Sequence, residues 1–212
     1  SFATCGDCFK DSRDGQSYPT VEIGEQCWMA KNMNIGERVN GGTSTQNTVG
    51  IQRTCYDNNE SNCDTYGGLY NWRETVYGEN TTDIKYATDG SGHMQGICPD
   101  GWHVPSDAEF KTLERSIGMP EDQVNGSGDH WNRDSGYGSK LKTTSWGGTN
   151  SSGWSGLQGG CWGAYFGSYG FWWSSSEYDS YAWFRSLYAG SSSTYRNIRP
   201  KSNGYSVRCL LN

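Results

Sequence analysis

The hydrophobic pattern predicts short strands joined by glycine-rich turns. Residues 14–35 carry two strand-like pieces, with Ile23 in the first, Trp28 in the second and Gly24 at the turn between them. Three further short strands are predicted near the end of the chain, over residues 171–175, 182–187 and 205–210.

Helical patterns are fewer and shorter. The best helix start places Ser106 as the N-cap and Glu109 as its capping-box partner, and apolar residues then follow on one face until Gly118 ends the helix. A second helix is predicted over residues 65–77 and one helical turn over 139–143. The stretches predicted as polar or glycine-rich loops are 36–54, 78–97 and most of 119–160.

Composition places these elements in one globular domain covering residues 1–212. Only 33% of the residues are hydrophobic, but 10 Trp and 14 Tyr indicate an aromatic core, and 30 Gly exclude a helical bundle. The net charge is -6 and the basic residues are scattered, which argues against a nucleic-acid partner. No apolar run is long enough to span a bilayer.

Eight cysteines in a small, glycine-rich chain predict disulfides and an exported protein. Cys55 and Cys63 enclose a short polar loop that a disulfide could close, although the two could also have separate partners. Cys5 and Cys8 have the spacing of zinc ligands, but no second close Cys or His pair accompanies them. The start SFATCGDC, without a signal peptide, is interpreted as a mature or trimmed terminus.

The segment from Cys161 to Tyr205 indicates recognition. It holds 14 of the 30 aromatic residues and ten serines but few aliphatic ones, a composition typical of adaptable binding surfaces. Trp172, Trp173 and Trp183 are expected in the core, whereas about half of the tyrosines should face solvent. The candidate ligand-binding residues are Tyr165, Tyr169, Tyr178, Asp179, Tyr181, Arg185, Tyr188, Tyr195, Arg196, Asn197 and Arg199. The arginines are expected to supply forked donors for carboxylates.

No catalytic residue and no metal ligand is predicted. The three histidines form no defensible nucleophile–base set, no known catalytic motif occurs, and His103 is interpreted as a hydrogen-bonded core residue. We expect no cofactor. The acidic runs that begin at Asp57 and Asp89 are interpreted as polar turns, with a structural calcium ion as the alternative.

Six sequence blocks resemble one known family. They are DGQSYPTVEIGEQCWMAKNMN (14–34), YGGLYNW (66–72), GICPDGWHVPSDAEF (96–110), WWSSSE (172–177), AWFRSLY (182–188) and GYSVRCL (204–210). In this order they resemble the major paralogous domain first named from Fibrobacter (FISUMP), which is abundant in secreted and surface proteins of Bacteroidetes. That family is similar to the C-type lectin-like superfamily, near the formylglycine-generating enzymes.

The resemblance implies an α+β, C-type lectin-like fold with two main helices, short antiparallel sheets, extensive irregular loops and disulfide staples. The last strand would lie beside the first, and a Cys98–Cys209 bridge would tie the helical region to that strand. Cys27 would then pair with Cys5 or Cys8, leaving Cys161 for the other. The enzymes' second cysteine would fall at Gly204, so an enzyme related to them is disfavoured.

The functional hypothesis is therefore a recognition domain whose partner is a cell-surface protein or glycan. It is expected outside the cell, on a bacterial envelope or a phage particle, with no direct membrane span. The composition of residues 165–201 also fits a region rewritten by a diversity-generating retroelement, which turns Asn codons into Tyr, Ser, Asp and related ones. The alternative is a secreted or lipid-anchored adhesin module without a diversified site.

Overall fold

The structure, a computed structural model, describes residues 4–41, 50–80, 82–127, 133 and 136–212, and these form an α+β fold. The helices are α1 (Glu60–Tyr66), α2 (Trp72–Tyr77), α3 (Asp107–Ser116), α4 (Glu121–Val124) and α5 (Tyr137–Leu141). The strands are β1 (Cys8–Lys10), β2 (Ser17–Ile23), β3 (Gln26–Met29), β4 (Glu37–Arg38), β5 (Gln52–Arg53), β6 (Trp102–His103), β7 (Tyr169–Tyr178), β8 (Tyr181–Tyr188), β9 (Tyr195–Pro200) and β10 (Leu210–Leu211).

The larger sheet has the strand order β1-β2-β3-β10-β6. Its β2–β3 hairpin confirms the prediction for residues 14–35, and Gly24 turns the chain with a φ of 61°. A Cβ at Gly24 would come within 2.3 Å of the Ser116 hydroxyl, so this turn needs glycine because it packs against the end of α3. The predicted place of the last strand is wrong: β10 lies between β3 and β6, while β1 pairs only with β2.

The second sheet is an antiparallel meander of β7, β8 and β9. The predicted strands at 171–175 and 182–187 are confirmed and extended, since β7 runs for ten residues and β8 for eight. The strand predicted over 205–210 is reduced to isolated bridges at Tyr205 and Ser206 followed by the two-residue β10.

The helix predictions are partly correct. α3 begins with the predicted capping box, in which the Ser106 hydroxyl accepts from Glu109 N and the Glu109 carboxylate accepts from Ser106 N. The single helix predicted over 65–77 is wrong, because Gly67 ends α1 with a φ of 84°. A Cβ at Gly67 would meet the Asn32 side chain at 2.6 Å, so the chain must pass close to that residue before α2 starts.

The core is aromatic, as the composition predicts. Trp28, Trp154 and Trp172 lie in one cluster, where Trp154 meets each of the others edge-on with ring centroids 6.3 and 4.9 Å apart. Trp173 lies in a second cluster, 4.4 Å from the ring of Tyr205. The burial predicted for Trp172 and Trp173 is therefore confirmed. Such large rings bury much apolar area for few residues, which suits a chain poor in aliphatic side chains.

Three disulfides hold this fold together. Cys98–Cys209 and Cys55–Cys63 are confirmed, and Cys5 proves to be the partner of Cys27. The predicted pairing of the two remaining cysteines is wrong. Both are free thiols. Cys8 is exposed on the edge strand β1, whereas the Cys161 thiol is half-buried and lies 3.6 Å from the Ala164 carbonyl oxygen. Disulfides of this number are typical of proteins exported to an oxidising compartment.

Candidate functional site: an aromatic cleft

The β7–β9 sheet sorts the candidate residues onto two faces. Successive side chains of a strand point to opposite faces, so residues two apart share a face. On β8, Phe184, Ser186 and Tyr188 line an open cleft, whereas Arg185 points to the other face, toward α3. The two faces have different chemistry.

The face toward α3 carries buried ion pairs. Arg185 and Arg196 are paired across β8 and β9, and both donate to Asp107 on α3 at 2.7–2.8 Å. Arg185 also donates to Glu114 at 2.6 Å. Burial alone would raise the pKa of Asp107, but the hydrogen bonds and charges of the two arginines hold it well below its usual range.

The prediction that Arg185 and Arg196 bind a ligand is therefore wrong. Both are buried and their donors are already used, so their role is to fix the sheet against α3. Arg196 also lies over the ring of Trp183, with its guanidinium carbon 3.7 Å from the ring centroid. Trp183 is only half-buried, so the prediction that it belongs to the core is wrong.

The opposite face of the sheet forms the wall of a cleft of about 660 Å³, within the usual range for small-molecule sites. The lining residues are Cys161, Trp162, Tyr165, Tyr169, Phe171, Phe184, Ser186, Leu187, Tyr188, Ser193, Tyr195, Arg199, Ser202, Asn203, Gly204 and Tyr205. Their rings support one another: Tyr169 stacks on Tyr188 with centroids 4.4 Å apart, and Phe171 stacks on Tyr205 at 4.9 Å. The cleft wall is therefore a braced aromatic surface.

Polar groups converge on the same cleft. Arg199 is exposed, and within the described part of the chain its guanidinium makes no ion pair. The Asn203 amide donates to the Tyr205 hydroxyl at 3.0 Å, and burial raises the pKa of Tyr205 to about 12, so this phenol stays neutral. No Asp or Glu is among the lining residues. The cleft therefore offers ring surfaces, hydroxyls and one unneutralised cation.

The mouth of the cleft holds the most accessible rings of the cleft lining. Tyr165 is 59% exposed and Trp162 is 46% exposed. Tyr165 has a φ of 64°, and its ring meets Tyr169 edge-on at 5.3 Å, so the loop presents it above the sheet. The half-buried Tyr195 also lines the cleft, and Asn197 supports it by donating to its hydroxyl at 2.6 Å.

The remaining candidates lie elsewhere. Tyr178 and Tyr181 pair at the turn of the β7–β8 hairpin, and Asp179 forms the turn with a φ of 52°. Tyr181 lies two positions before Trp183 and four before Arg185 on β8, so the paired turn tyrosines share the sheet face directed toward α3, and neither lines the cleft. The exposed turn tyrosines therefore cannot contact a small ligand in the cleft, and the single patch expected from the sequence is divided in two.

Several cleft residues were missed from the sequence. Phe171 could have been found, because it lies two positions from Tyr169 on the same strand. Trp162, Asn203 and Tyr205 come from loops or isolated bridges, and their convergence depends on tertiary structure that no local pattern shows.

The groups considered for calcium are engaged in local contacts. Asp89 accepts from the Ser91 backbone and hydroxyl at 2.9 and 2.5 Å, as a polar turn does. Glu60 pairs with Arg53 at 2.5 Å and with Arg38 at 3.2 Å. His103 is buried and hydrogen-bonded, as predicted.

Comparison with known proteins identifies the family. The family model described as the Fibrobacter succinogenes major domain matches residues 21–210. The chain belongs to this family. The match covers the six sequence blocks almost completely and confirms the resemblance found in them, and the description of this major domain names no activity. No curated protein and no solved structure matches the chain. Among the described residues of this major domain, no helix is both long and apolar enough to cross a membrane.

Proposed function

We propose that this domain is a recognition module that binds a saccharide unit of a cell-surface glycan in the aromatic cleft. The observation that carries the proposal is the braced aromatic wall between Tyr188 and Tyr205, which is concave and surrounded by hydroxyl and amide groups. Sites of this kind combine apolar area with a few placed polar groups. We propose binding rather than catalysis because no set of titratable groups converges in the cleft.

The charge of the cleft indicates which class of saccharide it would bind. Arg199 contributes a guanidinium to a lining that contains no carboxylate, so an anionic ligand would supply the missing partner. A guanidinium binds a carboxylate through two parallel hydrogen bonds. The proposed ligand is therefore a sugar that carries a carboxylate. A protein partner that inserts an aromatic side chain is the competing occupant.

The surrounding fold supports an extracellular setting. The three disulfides and the family membership favour a secreted or surface-attached protein of a bacterial envelope or a phage particle. We further propose that the α+β frame is a C-type lectin-like fold. In it, Cys98–Cys209 ties the region before α3 to the last strand, as the resemblance implies.

Diversification by a retroelement is retained in a narrower form. Arg185 and Arg196 lie within residues 165–201 but are buried on the sheet face toward α3, so substitution there would destabilise the sheet. Variable positions would be confined to exposed or cleft-lining residues such as Tyr165 and Arg199. This version would be supported by a neighbouring reverse transcriptase gene and a near-copy of the 3′ end of the coding sequence. The two copies should differ only at adenines in the codons of those variable positions. Differences at the buried positions would contradict it.

A glycan array that includes neutral and carboxylated saccharides tests the proposed function. The wild-type domain should bind carboxylated members, and Tyr165→Ala and Arg199→Gln should each weaken binding at least tenfold by losing a ring contact or the paired charge. Tyr178→Ala is the matched control, because its ring is equally exposed (56% against 59%) but lies on the hairpin turn. It should bind as the wild type does.

Two results would contradict the proposal. If the wild-type domain bound no saccharide on the array, glycan recognition would be excluded. The remaining hypotheses would be a protein partner and an adhesin module that has no specific ligand. Equal losses in Tyr165→Ala and Tyr178→Ala would show that binding does not take place in the cleft.

A further inference from the structure

A second site lies where α3 meets the larger sheet. The structure brings together His93 from the loop closed by the Tyr86–Met94 bridge, His103 from β6 and Glu109 from α3. One ligand atom of each lies within 4.8 Å of those of the other two. These residues are 16 positions apart at most, but no local motif links them, so the sequence gives no sign of the cluster.

A hydrogen-bond relay fixes the proton of His103. The Asp89 carboxylate can only accept, so the Asn212 amide nitrogen must face it, and it donates at 2.6 Å. The Asn212 carbonyl oxygen then faces His103 Nδ1, which donates at 2.8 Å. This arrangement places a hydrogen on Nδ1 and directs Nε2 into the cluster. Metal-binding histidines are commonly oriented in this way by a partner on the other ring nitrogen.

The two oxygens of Glu109 have separate roles. Oε2 accepts from the backbone nitrogen and the hydroxyl of Ser106 and completes the helix cap. Oε1 lies 2.9 Å from His103 Nε2 and 3.7 Å from His93 Nε2. With Nδ1 of His103 already protonated, the pair formed by Nε2 and Oε1 requires a cation between or beside them. That cation is either a second proton or a metal ion.

His93 supplies a third ligand group beside this pair. Its ring stacks on that of His103, with centroids 3.9 Å apart and planes 21° from parallel. The two imidazoles therefore bring two ring nitrogens to the same side of the Glu109 carboxylate. The Nδ1 atom of His93 is buried without a hydrogen-bond partner, and the side chain is 36% exposed. The ring is therefore free to turn and direct a lone pair at the position that His103 and Glu109 define.

We propose that His93, His103 and Glu109 form a zinc site. Two imidazoles and one carboxylate are a known ligand set for Zn²⁺, and they leave a fourth tetrahedral position for water. Nitrogen and oxygen ligands of a tetrahedral zinc lie about 3.3 Å apart, from metal–ligand distances of about 2.0–2.1 Å. Glu109 Oε1 lies 2.9 and 3.7 Å from the two Nε2 atoms, so a small shift of Glu109 together with a turn of the His93 ring brings the three ligand atoms to this spacing. The ion would tie the loop of His93 to the start of α3.

Calorimetric titration of the metal-stripped domain with ZnCl₂ tests the site. The exposed Cys8 is replaced by Ser in all samples, because a free thiol can itself bind zinc. We expect about one Zn²⁺ per chain and a rise in Tm that EDTA reverses. His93→Gln and Glu109→Gln should each weaken zinc binding at least tenfold. Gln at position 109 can still complete the capping box, so this variant keeps the start of α3.

His130→Gln is the control for nonspecific binding, because it removes the only other histidine of the chain. It should keep the wild-type zinc affinity. Zinc binding below one equivalent, or equal affinities for the wild type, His93→Gln and Glu109→Gln, would overturn the proposal. The cation between His103 and Glu109 would then be a proton. The zinc site and the aromatic cleft share no residue, so either proposal can fail alone.

Discussion

Removal of the Asp107 charge tests the role assigned to the buried arginines. Asp107→Asn keeps the size of the side chain but takes one negative charge from a site that holds Arg185 and Arg196 through three hydrogen bonds of 2.7–2.8 Å. Loss of one partner from a buried ion pair costs about 3–5 kcal/mol, because the remaining charge is left without compensation. Glu114 still accepts from Arg185, so the main loss falls on Arg196. We expect the free energy of unfolding to decrease by about 3–4 kcal/mol.

Urea unfolding at pH 7 with the disulfides intact measures this loss. The difference between the urea midpoints of the wild type and the variant, multiplied by a common m-value, gives the change in the free energy of unfolding. Glu121→Gln is the control, because it also removes one carboxylate from an arginine pair but at an exposed site, and its effect should be far smaller. Because the pKa of Asp107 is lowered in the folded state, its stabilisation is complete above the unfolded pKa and is lost as the pH falls. A loss below about 1 kcal/mol would show that the arginines are not held by this charge.

Three further predictions concern the rest of the frame. Replacing both Cys98 and Cys209 by Ser should lower the free energy of unfolding in urea by about 5 kcal/mol. This is about twice the cost expected for losing Cys55–Cys63, because a bridge that spans 111 positions restricts the unfolded chain more than one that spans 8. Burial raises the pKa of Glu74 to about 7, so the folded state binds the proton more tightly. The free energy of unfolding should therefore decrease as the pH rises from about 4.5 to 7, and Tm should decrease with it. Glu74→Gln should abolish this dependence of Tm on pH. Alkylation followed by mass spectrometry should label the exposed Cys8 quickly and Cys161 slowly, since burial raises the pKa of the Cys161 thiol. Equal labelling rates would contradict this assignment.

Local patterns predicted the parts of the fold that depend on local interactions. The capping box at Ser106 and the β2–β3 hairpin around Gly24 each join residues within a few positions of each other, and both are observed. The break after α1 was missed because Gly67 is required by the approach of Asn32, which is 35 positions away in the sequence. The position of β10 between β3 and β6 likewise depends on long-range pairing.

Composition predicted which segment carries the candidate site, but not the directions in which its side chains point. Tyrosine-rich sequence correctly located accessible rings such as Tyr165 and Tyr178. Composition could not tell that Arg185 and Arg196 point away from those rings, since their carboxylate partners lie on α3, more than 70 positions earlier. The period of two along β8 and β9 separates the faces, but only when the strand boundaries are known.

The alternation in the β7–β9 sheet has a consequence for evolution. The buried ion pairs use side chains that point to α3, while the proposed recognition uses neighbours in sequence that point the other way. Under that proposal, a lineage can exchange exposed cleft residues such as Tyr165 and Arg199 while selection preserves the set that faces α3. New specificities could then arise at the proposed site without loss of the domain's ability to fold.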